Sequence, residues 1–173
     1  MDAGDGSGLL AEYVVEVGPT LRLALRSRNA GDKPARLEMA LHTYLAVGDS
    51  RQVRISGLEG VEYIDKVSGG QRVRQGDEPI AFSGETDRVY LNTESPCLLE
   101  DPVWRRTITV RKTGSKSTVV WNPWAAKAHA LPDFGDDEWE RMCCIESANA
   151  ADNALELPPR HGEHEMTVEV AVN

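Results

Sequence analysis

Apolar residues spaced two apart recur along almost the whole chain, and no other sequence feature restricts the fold as much. Tyr13, Val15 and Val17 form one such set, and Leu21, Leu23 and Leu25 form a second beyond a Gly18-Pro19 turn. Leu37, Met39 and Leu41 repeat it after the loop from Asn29 to Pro34, and so do Val53 with Ile55, Ile108 with Val110, and Val119 with Trp121. Met166, Val168, Val170 and Val172 close the series. Residues two apart in an extended chain share a face, so this period predicts strands rather than helices. One apolar and one polar face predict antiparallel sheet that meets water on one side. Glycine-rich loops at 57–60, 68–76 and 84 separate the runs. A single short helix is expected over Asp136–Arg141, where acidic residues suit a helix N-terminus. The chain therefore reads as an all-β sandwich over residues 13–173, preceded by a flexible segment at 1–12.

Charge and cysteine content narrow the function classes. The formal net charge is −9, whereas a general nucleic-acid binder needs a basic surface. The apolar runs are too short for a membrane-spanning helix. Met1 is followed by acidic, glycine-rich residues rather than a basic start and an apolar stretch, so no secretory signal is read there. Cys97, Cys143 and Cys144 are odd in number and two are adjacent, which argues against a disulfide framework. A reducing, cytoplasmic setting is expected.

Several residues carry potential chemistry. His42 follows the row Leu37, Met39, Leu41 and points away from it by alternation. That suits a cleft histidine and equally a hydrogen-bonded surface one. Glu146 follows the apolar run Met142-Cys143-Cys144-Ile145. A carboxylate ending a buried strand loses solvation, which raises its pKa toward the range of a general base; an ordinary strand-end glutamate is the alternative. Asp87 is either a polar site residue or half of a local ion pair with Arg88. Trp121-Asn122-Pro123-Trp124 offers aromatic faces for sugar C–H surfaces and an amide that donates and accepts. A core tryptophan followed by a turn reads equally well. His161, Glu163 and His164 have metal-ligand spacing, but spaced cysteine pairs are missing, and no metal is expected. Phosphate-loop, nucleophile-elbow and dinucleotide fingerprints are absent from the sequence.

Taken together, five segments resemble the hexose-6-phosphate mutarotase branch of the aldose 1-epimerase superfamily. They are Ala40-Leu41-His42-Thr43-Tyr44, residues 53–57 with Tyr63-Ile64-Asp65-Lys66, Thr86-Asp87-Arg88-Val89-Tyr90-Leu91, Val120-Trp121-Asn122-Pro123-Trp124, and residues 133–146. Their order and spacing match from about Tyr13 onward. Leu45 departs from the phenylalanine usual in relatives at that place. The resemblance implies a galactose mutarotase-like twisted antiparallel β-sandwich with an open sugar cleft. It implies His42 and Glu146 as the acid–base pair, with Glu146 the base and protonated His42 the acid, and Asp87 as a holder of sugar hydroxyls. Asn122 and Trp124 are expected to line the cleft. The activity implied is isomerisation of a hexose phosphate between anomers, with no cofactor. Relatives are longer at the N-terminus, where Gly-Gly-x-Pro and His-Gly-Phe-Ala-Arg segments carry the arginines associated with phosphate. Neither segment occurs here, so the chain is expected to be the later part of such an enzyme. Arg51, Arg54, Arg72 and Arg74 are basic, but nothing in the sequence puts them at a phosphate. A non-catalytic carbohydrate-binding or regulatory sandwich is the second reading.

Overall fold

The alternating runs become strands, and antiparallel pairing joins them. In the computed structural model, which describes residues 8–173, β1 (Leu9–Val17) and β2 (Leu21–Asn29) form a hairpin across Gly18 and Pro19. The strand pattern thus starts at Leu9 and not at Tyr13. Of the expected flexible segment, residues 1–7 lie outside the described residues.

β1 and β2 begin a six-stranded sheet that continues through β15 (Gly162–Val172), β11 (Arg106–Thr113), β10 (Cys97–Asp101) and β6 (Arg54–Ser56). Its outer face carries cross-strand charge pairs, among them Arg26 with both Glu12 and Glu165, and Arg22 with Glu16. β10 and β15 show the one-sided exposure that the alternation predicts, whereas β1 is largely open on both faces.

The second sheet has seven strands. β4 (Met39–Leu41), β13 (Met142–Asn149), β12 (Ser117–Asn122), β9 (Thr86–Tyr90), β7 (Glu62–Asp65) and β8 (Gln71–Arg74) lie in that order, and β5 (Tyr44–Ala46) also pairs with β13. The core fills the space between the sheets. Leu23, Val110, Met166 and Val168 meet Tyr90, Val120, Cys143 and Ile145 there. Each large aliphatic side chain so buried contributes about 1.5–3 kcal/mol.

Three expectations change. Leu37, Met39 and Leu41 do not share one strand. Leu37 ends β3 (Ala35–Leu37), which pairs with β14 (Leu155–Leu157) in a small separate sheet, while Met39 starts β4. The expected helix over Asp136–Arg141 is a single 3-10 turn, Glu138–Arg141. The α-helix α1 (Trp124–Ala130) lies instead in an alanine-rich stretch, the residue type that loses least on entering a helix. The seven-stranded sheet is also not half exposed at its centre, because all eight residues of β13 are buried. Among the described residues no helix is long and apolar enough to cross a membrane.

Candidate active site

Alternation along β13 sets the site. Cys143 and Ile145 point into the main core. Met142 and Cys144 point the other way, into a second apolar cluster with Trp121 that Val119, Leu131 and Phe134 border. Glu146, two residues past Cys144, shares that outer face. Strand register then lines up residues distant in sequence. Asp87 pairs with Trp121, Trp121 with Cys144, and Cys144 with Tyr44, which makes one row across four strands. β4 and β5 meet β13 in the same register, Leu41 against Ser147 and Tyr44 against Cys144. Between them His42 falls opposite Glu146.

The side chains complete that juxtaposition. His42 Nε2 lies 3.1 Å from Glu146 Oε1. His42 Nδ1 lies 3.6 Å from Cys144 Sγ. The imidazole stacks on Tyr44 with centroids 4.9 Å apart and meets the edge of Trp121 at 5.5 Å. Glu146 is 5% exposed, while the His42 side chain remains about half open to solvent at 47%. The pair is therefore approached from the histidine side.

The environment solvates charge poorly. Burial, with the charge of Asp87 adding to it, lifts the Glu146 carboxyl to about 8. Burial also lowers the His42 imidazole, against the opposing pull of its own backbone carbonyl and Asp87. Burial raises Asp87 too, partly offset by Lys66 and Lys127. A carboxyl shifted up and an imidazole shifted down both disfavour two separated charges. Such groups can give a proton on one side and take one on the other.

The site brings together three of the five residues expected from sequence: His42, Glu146 and Asp87. Glu146 sits within β13 and not at its end. Asp87 is not engaged with Arg88, whose guanidinium lies over the Tyr63 ring at 4.9 Å; neighbours in a strand face opposite sides. Asn122 and Trp124 are engaged in structural contacts. Asn122 has no exposed surface, and its amide nitrogen donates to the Trp139 and Met142 carbonyls while its oxygen accepts from the Trp124 N–H. Trp124 packs against the main core and lies 4.3 Å from the Trp139 ring. The two residues form a knot tying the ends of β12 and α1 to the start of β13. The bond from Asn122 also braces Trp124 at φ 57, a conformation unfavourable for a bulky residue.

Tyr44 and Cys144 join the site without a candidate role in the sequence, whereas Trp121 belongs to the Trp121-Asn122-Pro123-Trp124 segment whose aromatic faces suit a sugar. Tyr44 had a signal, being on the same side as His42 two residues away. For Cys144 the signal is strand register, which does not appear in local sequence.

Other expectations resolve into structure. His164 donates from Nε2 to the Gly114 carbonyl at 2.6 Å. Arg51 pairs with Asp49 and Glu140, and Arg72 with Glu62 and Asp152. Arg54 and Arg74 donate to backbone carbonyls. The donor atoms of His42, Cys144 and Glu146 lie within 4.8 Å of one another. Sγ and the carboxylate, however, address opposite nitrogens of one ring, an arrangement of hydrogen bonds rather than of ligands converging on one ion.

Comparison with known proteins bears on the family and the fold. The family described as aldose 1-epimerase matches residues 8–166. A protein of Cenchrus ciliaris named "putative glucose-6-phosphate 1-epimerase" is 38% identical over 149 residues, covering 84% of this chain and 45% of that protein. One of the same name from Escherichia coli K12 is 35% identical over 144 residues, covering 83% and 47%. A crystal structure of a "putative mutarotase" from Salmonella typhimurium superposes with a TM-score of 0.83 at 30% identity, over 95% of this chain and 52% of that one. The chain thus spans about half the length of the relatives it matches.

Proposed function

The chain belongs to the aldose 1-epimerase family, and from that premise we propose that it interconverts the α and β anomers of an aldohexose 6-phosphate. The observation that carries this reading is the His42–Glu146 contact at 3.1 Å between a buried carboxyl and a half-exposed imidazole.

Anomer exchange needs one group to take the proton of the C1 hydroxyl and another to protonate the ring oxygen. Both oxygens are bonded to C1, so two catalytic groups in contact can serve both from one side. Glu146 as carboxylate takes the hydroxyl proton, and His42 as imidazolium gives its proton to the ring oxygen. The ring opens to the aldehyde, C1 turns, and the ring closes with the roles reversed. Burial favours the proton on Glu146. Sugar hydroxyls that solvate the carboxylate move it to His42, the tautomer the reaction uses. Asp87 accepts from sugar hydroxyls, and the exposed ring of Tyr44 offers a face to the sugar C–H surface. Hexose 6-phosphate as substrate is supported by the names of the relatives. The same reading takes residues 13–173 as the later part of the relatives' domain.

The test is magnetisation-transfer NMR between the α and β signals of glucose 6-phosphate, with this chain present. Exchange above the spontaneous rate is expected, and Glu146→Gln or His42→Asn should each slow it by about 10²-fold or more. Binding without exchange by the unaltered chain would favour a carbohydrate-binding module instead.

A further inference from the structure

We propose that Cys144 is a positioning residue for the acid–base pair, its thiol meeting His42 Nδ1 and alternating between acceptor and donor as the pair gains and loses its proton. This rests on the reading of His42 and Glu146 above.

Tyr44 and Trp121 fix the plane of the ring through its face and edge. Neither hydrogen-bonds to a ring nitrogen. Nε2 faces Glu146 at 3.1 Å, and the side chain that meets Nδ1 is Cys144 at 3.6 Å. The bond made at one imidazole nitrogen decides what the other does.

Three states of the pair follow. With the proton on Glu146, its O–H donates to Nε2, the neutral ring carries its hydrogen on Nδ1, and that N–H donates to Sγ. With the proton on His42, both ring nitrogens donate, and Sγ again accepts. When the proton has left, Nε2–H donates to the carboxylate, Nδ1 is bare, and the S–H donates to it. The His42 backbone carbonyl, which favours the protonated ring, can serve only the first two states. A carboxylate in place of the thiol would share that limit and would hold the ring protonated. A thiol serves all three, provided that it keeps its hydrogen. Burial, with the charge of Glu146 adding to it, keeps it by raising the Cys144 thiol far above its usual range.

Cys144→Ser retains a donor and an acceptor, and Cys144→Ala removes both. Cys144→Val fills the space without either and replaces the alanine variant if that does not fold. The chain is used as it exists, with two readouts. In exchange of glucose 6-phosphate anomers, Ala should lower kcat about tenfold with KM unchanged, whereas Ser should stay within about threefold of the unaltered chain. In ¹⁵N NMR above pH 9, the bare Nδ1 of His42 should resonate as a hydrogen-bonded acceptor. It should move toward the free imidazole value in Ala or Val and return in Ser. An Nδ1 resonance unmoved by Ala or Val overturns the proposal, as does a Ser variant as slow as Ala. The NMR result stands even if the chain exchanges no sugar, which separates this failure from failure of the enzymatic reading.

Discussion

β13 and β1 are both strands rich in apolar residues, yet they meet opposite environments. All eight residues of β13 are buried. On β1, Tyr13, Val15 and Val17 are 53%, 50% and 84% exposed. The β1 row is not an outward face. Val15 pairs with Leu23, and Leu23 pairs with Val168, both of which are core residues. Tyr13, Val15 and Val17 therefore continue the inner face past the edge of the opposing sheet. Alternation decides which residues share a face, whereas cover depends on what lies across from it. On β13 the outer face is covered as well, and that second cover desolvates Glu146.

The comparison can be broken by substitution. Ile145→Ala on β13 should cost about 2–5 kcal/mol, and Val15→Ala on β1 less than about 0.5 kcal/mol, measured by urea unfolding. Equal costs would mean that the β1 row is covered in solution. A smaller effect is expected at Asp87. Losing a charged acceptor for hydroxyls should raise KM about tenfold in Asp87→Asn and leave kcat closer to normal. A fall in kcat alone would move Asp87 from binding to proton transfer.

Smaller still is the pH dependence of stability. Glu146 has its folded pKa raised from 4.5 to about 8, so its contribution is complete below 4.5 and is lost as pH rises through 8. His42 is lowered from 6.5 by burial, so it tilts stability the opposite way, chiefly around pH 6.5 and below. Lys112, lowered to about 8 by burial, tilts stability the opposite way in every variant alike. Between pH 7 and 8 the stability of the unaltered chain should therefore fall relative to Glu146→Gln, by about 1 kcal/mol or a few degrees in Tm. Parallel melting curves would contradict the shift. The weakest expected effect is self-association through the bare β1 row. Sedimentation should detect it at high concentration and find it reduced in a Val15→Lys, Val17→Lys variant. A monodisperse monomer before substitution would count against an interface there.

The sequence made the all-β character legible because period two is a local property. It also made β13 legible as a buried run, and the motif series put His42, Asp87 and Glu146 on one site. What it hid depends on partners. Glu38 divides an apparently continuous apolar row because β3 pairs with β14 and β4 pairs with β13. Asn122 looked like a cleft amide because nothing local reveals that its three hydrogen bonds end on Trp139, Met142 and Trp124. Cys144 reads locally only as part of an apolar run, and register sets it beside a ring more than a hundred residues away.

The central claim is that Glu146 is a desolvated carboxyl in contact with His42. The most direct measurement is a pH titration of the Glu146 side-chain carboxyl by ¹³C NMR, in the chain itself and in His42→Asn. The account predicts a midpoint near 8 in the unaltered chain and one at least as high without the histidine, since the partner able to take the proton is gone. A midpoint near the ordinary 4.5 in both would contradict it.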